Sequence, residues 1–312
     1  MIVAAGLTPA WQHILRFAQL RVGEVNRAAE SHWCASGKVF NVGIALAHLG
    51  AECHAVSPLG ADVMERVRAE FASFGLQTSL IPQGESTRVC TTLLDDATGA
   101  VTELVENARP LATDVLEAVR NEFNLYAPAA EVIVLSGSLP AGTDVAYYRE
   151  LMQLTTGRVV LDARGPELLA TLAHRPFFVK PNREELAHTF GRPLVDQSAL
   201  LSGMHELIEL GAQWVVVTEG ARAVWVASAG ADYRLAPLRV AKVVNPIGCG
   251  DCLAAGLAWG LSLGREPVEC VRLGIACAAQ NAAALLPGRL DPQQALRQAK
   301  DVVVEEIGSG SM

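Results

Sequence analysis

The stretch Asn245-Pro246-Ile247-Gly248-Cys249-Gly250-Asp251 runs directly into an apolar helical pattern, Cys252 to Trp259. Two glycines one residue apart let the backbone turn tightly and aim successive N–H groups the same way. A helix starting behind them adds partial positive charge at its N-terminus. Together they form an anion cradle suited to the charge spread over a phosphoryl group in transfer. Asp251, at the helix start, stands where a carboxylate would take the proton of an attacking hydroxyl. The same residues also describe an ordinary glycine turn with an N-capping aspartate. Cys249 and Cys252 form a CxxC at this helix start, a location that lowers a thiol pKa. A redox or metal-binding pair follows from the spacing alone, and oxidation would then block the site. With no second cysteine pair nearby in sequence, packing of two small apolar side chains under the loop is the preferred reading.

Elements that would position such a loop can be read on either side of it. Short β-branched runs alternate with helical patterns from about residue 40 onward. Asn41 to His48 reads as a helix closed by Gly50, Ala51 to Ser57 as a strand, and Asp62 to Phe74 as a helix closed by Gly75. Further strands are expected at Glu131–Ser136, Arg158–Asp162, Pro176–Lys180 and Gln213–Thr218, with helices near residues 112–125, 144–155 and 197–210 between them. That rhythm predicts an α/β fold whose mostly parallel central sheet is flanked by helices on both faces. Segments 11–36 and 86–106 break it, alternating like strands with no helix between, and Asp95–Gly99 supplies a hairpin turn. They predict a small β-sheet lid projecting from the core, with ordinary edge strands as the alternative. Cys252–Leu263, Val268–Leu286 and Pro292–Glu306 read as helices before a frayed Gly/Ser tail.

The bulk properties agree with one large intracellular domain. The chain has 312 residues, is 51% hydrophobic and only 19% charged, so many elements must be buried on two faces. Its net charge of −8 comes with no clustered Lys/Arg run, which argues against a nucleic-acid partner. Apolar runs such as Val132–Leu135 and Val215–Val217 are too short to span a bilayer, which argues against a membrane protein. Met1–Gly6 has no basic segment and reads straight into a strand, so no secretory signal is expected. Seven cysteines without framework spacing fit a reduced, cytoplasmic protein.

Motifs spread along nearly the whole chain resemble, in order, those of the phosphofructokinase-B carbohydrate kinases of the ribokinase-like superfamily, closest in pattern to its phosphosugar kinases. They are Leu7–Ala10 with Gly23–Arg27, Gly37-Lys38-Val39-Phe40-Asn41-Val42, Glu85–Arg88 with Val101–Leu104, Leu135–Pro140, Lys180-Pro181-Asn182-Arg183-Glu184-Glu185-Leu186, Thr218–Ala221, and the GxGD turn itself. The resemblance implies a ribokinase-like three-layer sandwich occupying residues 1–312, the two lid segments included, and a homodimer paired through the lid sheet. It implies ATP-dependent phosphorylation of a sugar phosphate of the fructose 1-phosphate or tagatose 6-phosphate type. Asp251 would be the base, with Gly248, Cys249 and Gly250 holding the phosphoryl group. Gln12, Arg27, Gly37, Lys38, Asn41, Arg88 and Ser138 would face the sugar. Lys180, Asn182, Thr218, Glu219, Gly220 and Asn281, the last near the family's adenine seat, would face ATP. Asn182 and Glu185 would organise Mg²⁺ and its waters, as oxygen donors suit a small hard cation.

Several of these positions have plainer uses. Asn41 fits either a sugar hydroxyl or a helix cap, Glu185 a solvated helix face, and Asn281 a helix surface. Arg27 and Arg88, expected on lid strands, have guanidinium forks that fit a phosphate bidentately, and equally suit surface ion pairs. Trp11 is a candidate sugar-stacking face. Gln12 stands where the family usually has an aspartate, Ser36 and Val39 where it often has glycine, and Pro246 where it has threonine. These departures leave open a kinase of an unphosphorylated sugar or nucleoside, or a non-catalytic sugar-phosphate sensor.

Overall fold

The computed structural model describes residues 1–307; the expected frayed tail lies outside them. From the N-terminus the chain forms β1 (Ile2–Ala5), β2 (Ala10–Phe17), β3 (Glu30–Ser36), α1 (Lys38–His48), β4 (Cys53–Gly60), α2 (Met64–Ala72) and β5 (Gln77–Gln83). It continues through β6 (Val89–Asp95), β7 (Val101–Val105), α3 (Thr113–Tyr126), β8 (Val132–Ser136), α4 (Tyr147–Met152), β9 (Arg158–Asp162), α5 (Gly165–Leu169) and β10 (Phe178–Val179). The last part comprises α6 (Arg183–Phe190), α7 (Gln197–Glu209), β11 (Trp214–Thr218), β12 (Val224–Ser228), β13 (Asp232–Leu235), α8 (Cys249–Ser262), α9 (Pro267–Ala283), α10 (Pro292–Gln298) and β14 (Val304–Ile307).

Ten of these strands make one sheet in the order β14-β13-β12-β11-β10-β9-β8-β1-β4-β5. From β5 to β11 every pairing is parallel, and β12, β13 and β14 add antiparallel edges. The period of two explains how this sheet takes cover on both faces. Ile2, Ala4, Val132, Val134 and Val216 pack into one core with α1, α8 and α9. Their neighbours Val3, Ala5, Ile133, Leu135 and Val217 pack into another with α3, α4 and α7. The result is the expected three-layer sandwich.

The small sheet is also present, in the order β3-β2-β6-β7. Its apolar face gathers Ile14, Cys34 and Leu94 over Leu285 and Leu286, which follow α9. Asp95 accepts bonds from Ala97 N and the Thr98 hydroxyl to close the predicted β6–β7 turn.

Two expectations need correction. Residues 11–36 are not strand throughout: 18–29 carry no strand, and Arg27 lies exposed in that connection rather than on a lid strand. The helix expected over Pro292–Glu306 stops at Gln298, passes through a short 3₁₀ turn at Ala299–Asp301, and becomes β14. A run of three valines, Val302 to Val304, suits a strand better than a helix, and β14 pairs with β13 at the sheet edge.

Candidate active site

The carboxyl ends of β8, β9, β10 and β11 carry Ser136, Asp162, Lys180 and Thr218, and the N-termini of α1, α6 and α8 point at the same region. This is where ligands sit in open parallel sheets. Gly248 caps α8 with φ 85°, and an added Cβ would stand 2.9 Å from Pro287 Cβ, so glycine is required for both conformation and space. Cys249 N donates back to Pro246 O at 3.2 Å. The Gly250 and Asp251 amides follow with no helical carbonyl to receive them. The sequence pattern assigns the cradle to Gly248, Cys249 and Gly250; with Cys249 N spent on Pro246 O, the amides left to form it are those of Gly250 and Asp251.

Asp251 lies in the first turn of α8 and is buried, 7% exposed. Its Oδ2 accepts a hydrogen bond from Asn41 Nδ2 at 2.7 Å. Ser36 in turn donates to Asn41 Oδ1 at 3.1 Å. Asn41 therefore does not cap α1: it sits one turn inside that helix and orients the carboxylate. Gly37 makes this possible at φ 90°, where an added Cβ would meet Thr8 O at 2.8 Å. Val39, being within α1, needs no left-handed backbone.

Asp162 is the centre of the charge arrangement and is a residue the sequence analysis did not single out. Its Oδ1 accepts Lys38 Nζ at 2.9 Å and lies 3.3 Å from Lys180 Nζ. Burial alone would raise its pKa, but Lys180 and Lys38 outweigh that and hold it below the usual carboxylate range. Its Oδ2 and the hydroxyl of Ser136, its register neighbour on β8, are buried without a partner among the described residues. Asp251 behaves oppositely. Burial and then the Asp162 charge push it up to about 6, against the pull of Lys38, Asn41 and Lys180. Lys38 stays charged because Asp162, Glu185 and Asp251 more than offset its burial.

Were Asp251 to act as the base of a proton transfer, its raised pKa would give turnover an acidic limb. The expected kcat/KM profile rises through about pH 6 and is flat above, as the free-enzyme base ionises. A limb near pH 4 would mean that Asp251 is not the group titrating.

Asn182 and Glu185 form a capping box on α6: Asn182 Oδ1 accepts Glu185 N at 2.8 Å, and Glu185 Oε2 accepts Asn182 N at 2.9 Å. Glu185 Oε1 remains, 3.7 Å from Lys38 Nζ. Among the described residues no group of three His, Cys, Asp or Glu could hold a metal. One available carboxylate oxygen fits Mg²⁺, which keeps several waters and shares its shell with phosphates.

The other predicted residues divide clearly. Thr218 bridges Asn182 at the end of β11, and Gly220 (φ 59°) lies in the open loop beyond it. The Glu219 carboxylate is engaged by Arg183 and Trp225 and so braces this loop from below. Burial opposes these bonds, yet together with Arg183 and Arg222 they keep it below the usual range. Asn281 is not a helix-surface residue: it is 1% exposed, donates to Ile247 O at 2.8 Å and accepts Gly288 N at 2.9 Å. Its side chain clamps the loop before Gly248 instead of reaching for a base.

Ser138 is exposed beyond β8. Gln12 is buried in the lid and donates to the Thr92 hydroxyl at 2.7 Å. Arg88 is half-buried, with bonds to Thr8 O at 2.9 Å, Pro9 O at 3.2 Å and Glu106 O at 3.4 Å. Those use three of its five N–H groups. Trp11 is only 8% exposed, and its ring lies against Trp33. It is not an open stacking face. The Cys249 and Cys252 thiols are both raised, chiefly by burial, so the helix start does not activate them and packing is their role.

The model of the pfkB family carbohydrate kinases matches residues 6–289. The 1-phosphofructokinase of Rhodobacter capsulatus is 32% identical over 289 residues, covering 91% of this chain and 90% of that protein. Phosphofructokinase-2 from Escherichia coli, in complex with substrates and products, superposes with a TM-score of 0.87 at 24% identity over 96% of this chain and 98% of that one. Its tetrameric inhibited form gives 0.86 at 22%, with the same coverage. These two likenesses are of fold.

Proposed function

This chain belongs to the pfkB family of carbohydrate kinases, phosphotransferases with an alcohol acceptor, and from that premise we propose that it transfers the γ-phosphate of ATP to a hydroxyl of a sugar phosphate. The observation carrying this reading is the buried Asp251 carboxylate, held by Asn41 at 2.7 Å and set in the turn that opens with Gly248 and Gly250. The 1-phosphofructokinase relative supports fructose 1-phosphate as acceptor, with a bisphosphate as product; tagatose 6-phosphate is the next candidate.

In the proposed reaction Asp251 takes the proton of the sugar hydroxyl as that oxygen attacks phosphorus in line. The Gly250 and Asp251 amides face the oxygens of the transferring group. Lys180, Asn182, Thr218 and Gly220 line the nucleotide side, with Glu219 and Asn281 fixing the loops that carry them. Glu185 and Asn182 would hold Mg²⁺ through water, and the ion would neutralise charge on the nucleotide phosphates. The four-stranded lid closes over the sugar and excludes water, which would otherwise hydrolyse ATP. Trp33, 47% exposed on β3, supports pairing of two lids in a homodimer. Among the described residues no helix is long and apolar enough to cross a membrane. All seven cysteines are free, which supports a reduced, cytoplasmic setting for the reaction.

Arg27, Arg88, Gln12, Gly37, Lys38 and Ser138 are the proposed sugar contacts. An unphosphorylated acceptor is the second reading, favoured by the three carbonyls already on Arg88. Arg27→Ala separates the two. A lost charge-assisted bond costs about 1.5–3 kcal/mol, so the phosphosugar reading expects KM for fructose 1-phosphate to rise about 10- to 100-fold, with the melting temperature unchanged. An unchanged KM would favour the unphosphorylated acceptor. Arg88→Ala should raise KM as well and also lower the melting temperature, because it releases three carbonyls at the lid base.

A further inference from the structure

Lys180 and Asp162 form a buried pair whose geometry says more than that both are charged. Their side chains are 4% and 1% exposed. Lys180 follows β10, and its backbone N–H is fixed on Leu161 O at 2.9 Å. Its ammonium lies 3.6 Å from where a Gly250 Cβ would stand, beside the cradle. Among the described residues Asp162 is the one carboxylate within ion-pair distance of it, at 3.3 Å. Lys38 differs: it is 35% exposed and also approaches Glu185 at 3.7 Å. Losing Asp162 would leave Lys38 an anchor and leave Lys180 none. An ammonium has three N–H donors. One turned to Asp162 leaves two for an anion at the Gly250 turn. Asp162 is itself fixed, since the neighbouring strand receives its backbone: Gly137 N donates to Asp162 O at 3.0 Å.

We propose that Asp162 is a positioning residue of the transfer, holding the Lys180 ammonium beside the Gly250 turn so that it meets the terminal phosphate of the nucleotide. The assignment rests on the kinase reading, and it makes Asp162 act through Lys180 rather than on the substrate. A carboxylate held this way fixes where positive charge stands before the nucleotide arrives, so no reorganisation is needed during transfer.

A double-mutant cycle tests it, comparing Asp162→Asn, Lys180→Met and the double variant with the unmodified protein. The readouts are kcat on a phosphosugar, and dissociation constants for ATP and ADP measured by calorimetry. Each single change is expected to lower kcat about 100-fold, the scale of a misplaced group, and to weaken ATP at least tenfold more than ADP. The double variant should be no worse than Lys180→Met, because two residues acting as one unit are not additive. Should Asp162→Asn fail to fold with its stranded ammonium, the double variant removes both charges of the pair. Asp162→Glu, which keeps the anchor charge, then takes its place and should retain more of the ATP preference than Lys180→Met. Losses that multiply in the double variant, or an ATP-to-ADP preference untouched by the Asp162 change, would overturn the assignment. If the unmodified protein transfers to no sugar while the ATP cycle is still non-additive, the kinase reading falls, the role in transfer falls with it, and what stands is Asp162 placing Lys180 on the nucleotide. Transfer with an additive cycle gives the reverse.

Discussion

Replacing Asp251 with asparagine is expected to remove transfer by a factor of at least about 10³ in kcat, within the range that a positioned general base supplies, while leaving nucleotide binding intact. Asparagine has the same shape and can still accept the Asn41 hydrogen bond, so the loop should keep its form. The same variant should be more stable than its parent, and only above a certain pH. In the unfolded chain the carboxyl ionises at the ordinary aspartate value of 3.8, whereas in the folded protein burial has raised it to about 6. Ionising it therefore works against folding, by an amount that grows between those two pH values and is constant above the second. The difference between those two values corresponds to about 3 kcal/mol. Asp251→Asn should accordingly match the parent below about pH 4 and exceed it by about 3 kcal/mol at pH 8 in denaturant unfolding. A variant inactive but no more stable at pH 8 would mean that the folded carboxyl is not raised.

The second large effect concerns the frame rather than the chemistry. α8 and α9 touch backbone to backbone: a Cβ on Gly256 would stand 2.5 Å from Gly274 Cα and 2.7 Å from Gly274 N. Neither atom can swing aside as a side chain would. Gly256→Val therefore has to push the helices apart, and overpacking of that kind costs about 3 kcal/mol, beyond any helix-propensity gain over glycine. In a domain of this size a fall of roughly 6 °C in melting temperature follows. Activity should fall further than stability, since the last turn of α9 carries Asn281, which clamps Ile247 before the cradle. A melting temperature within a degree of the parent's would contradict the tight packing.

How much of this could be read from the sequence depended on separation along the chain. The alternating strand and helix patterns carried the sandwich, and the turn Asp95–Gly99 carried the lid hairpin, because both are local. The cradle was legible for the same reason: Gly248, Gly250 and the apolar helix are contiguous. Asn41 could not be assigned from sequence, since cap and ligand look alike until α1 and α8, 210 residues apart at this contact, are brought together. Asp162 was missed because it ends an ordinary buried strand, and its partner Lys38 is 124 positions away. The available signal was a charged residue at the carboxyl end of a parallel strand, where sites concentrate. β14 was missed because its pairing partner β13 lies about 70 residues earlier, and the helical pattern of Pro292–Gln298 ran straight into it. For Cys249 and Cys252 the missing second cysteine pair already favoured packing over a reactive thiol, and burial, which raises both thiols, agrees with that.

The central claim, that this site moves a phosphoryl group from ATP to a phosphosugar, is tested most directly by ATP-dependent ADP release with product analysis. Fructose 1-phosphate, tagatose 6-phosphate, fructose 6-phosphate, plain hexoses and nucleosides would be offered in turn, with Asp251→Asn as control. The expected result is turnover on one phosphosugar above the others, a bisphosphate product, and loss of both in the variant. Folded protein that binds ATP yet transfers to none of these acceptors would contradict the account and favour a sugar-phosphate sensor built on the same fold.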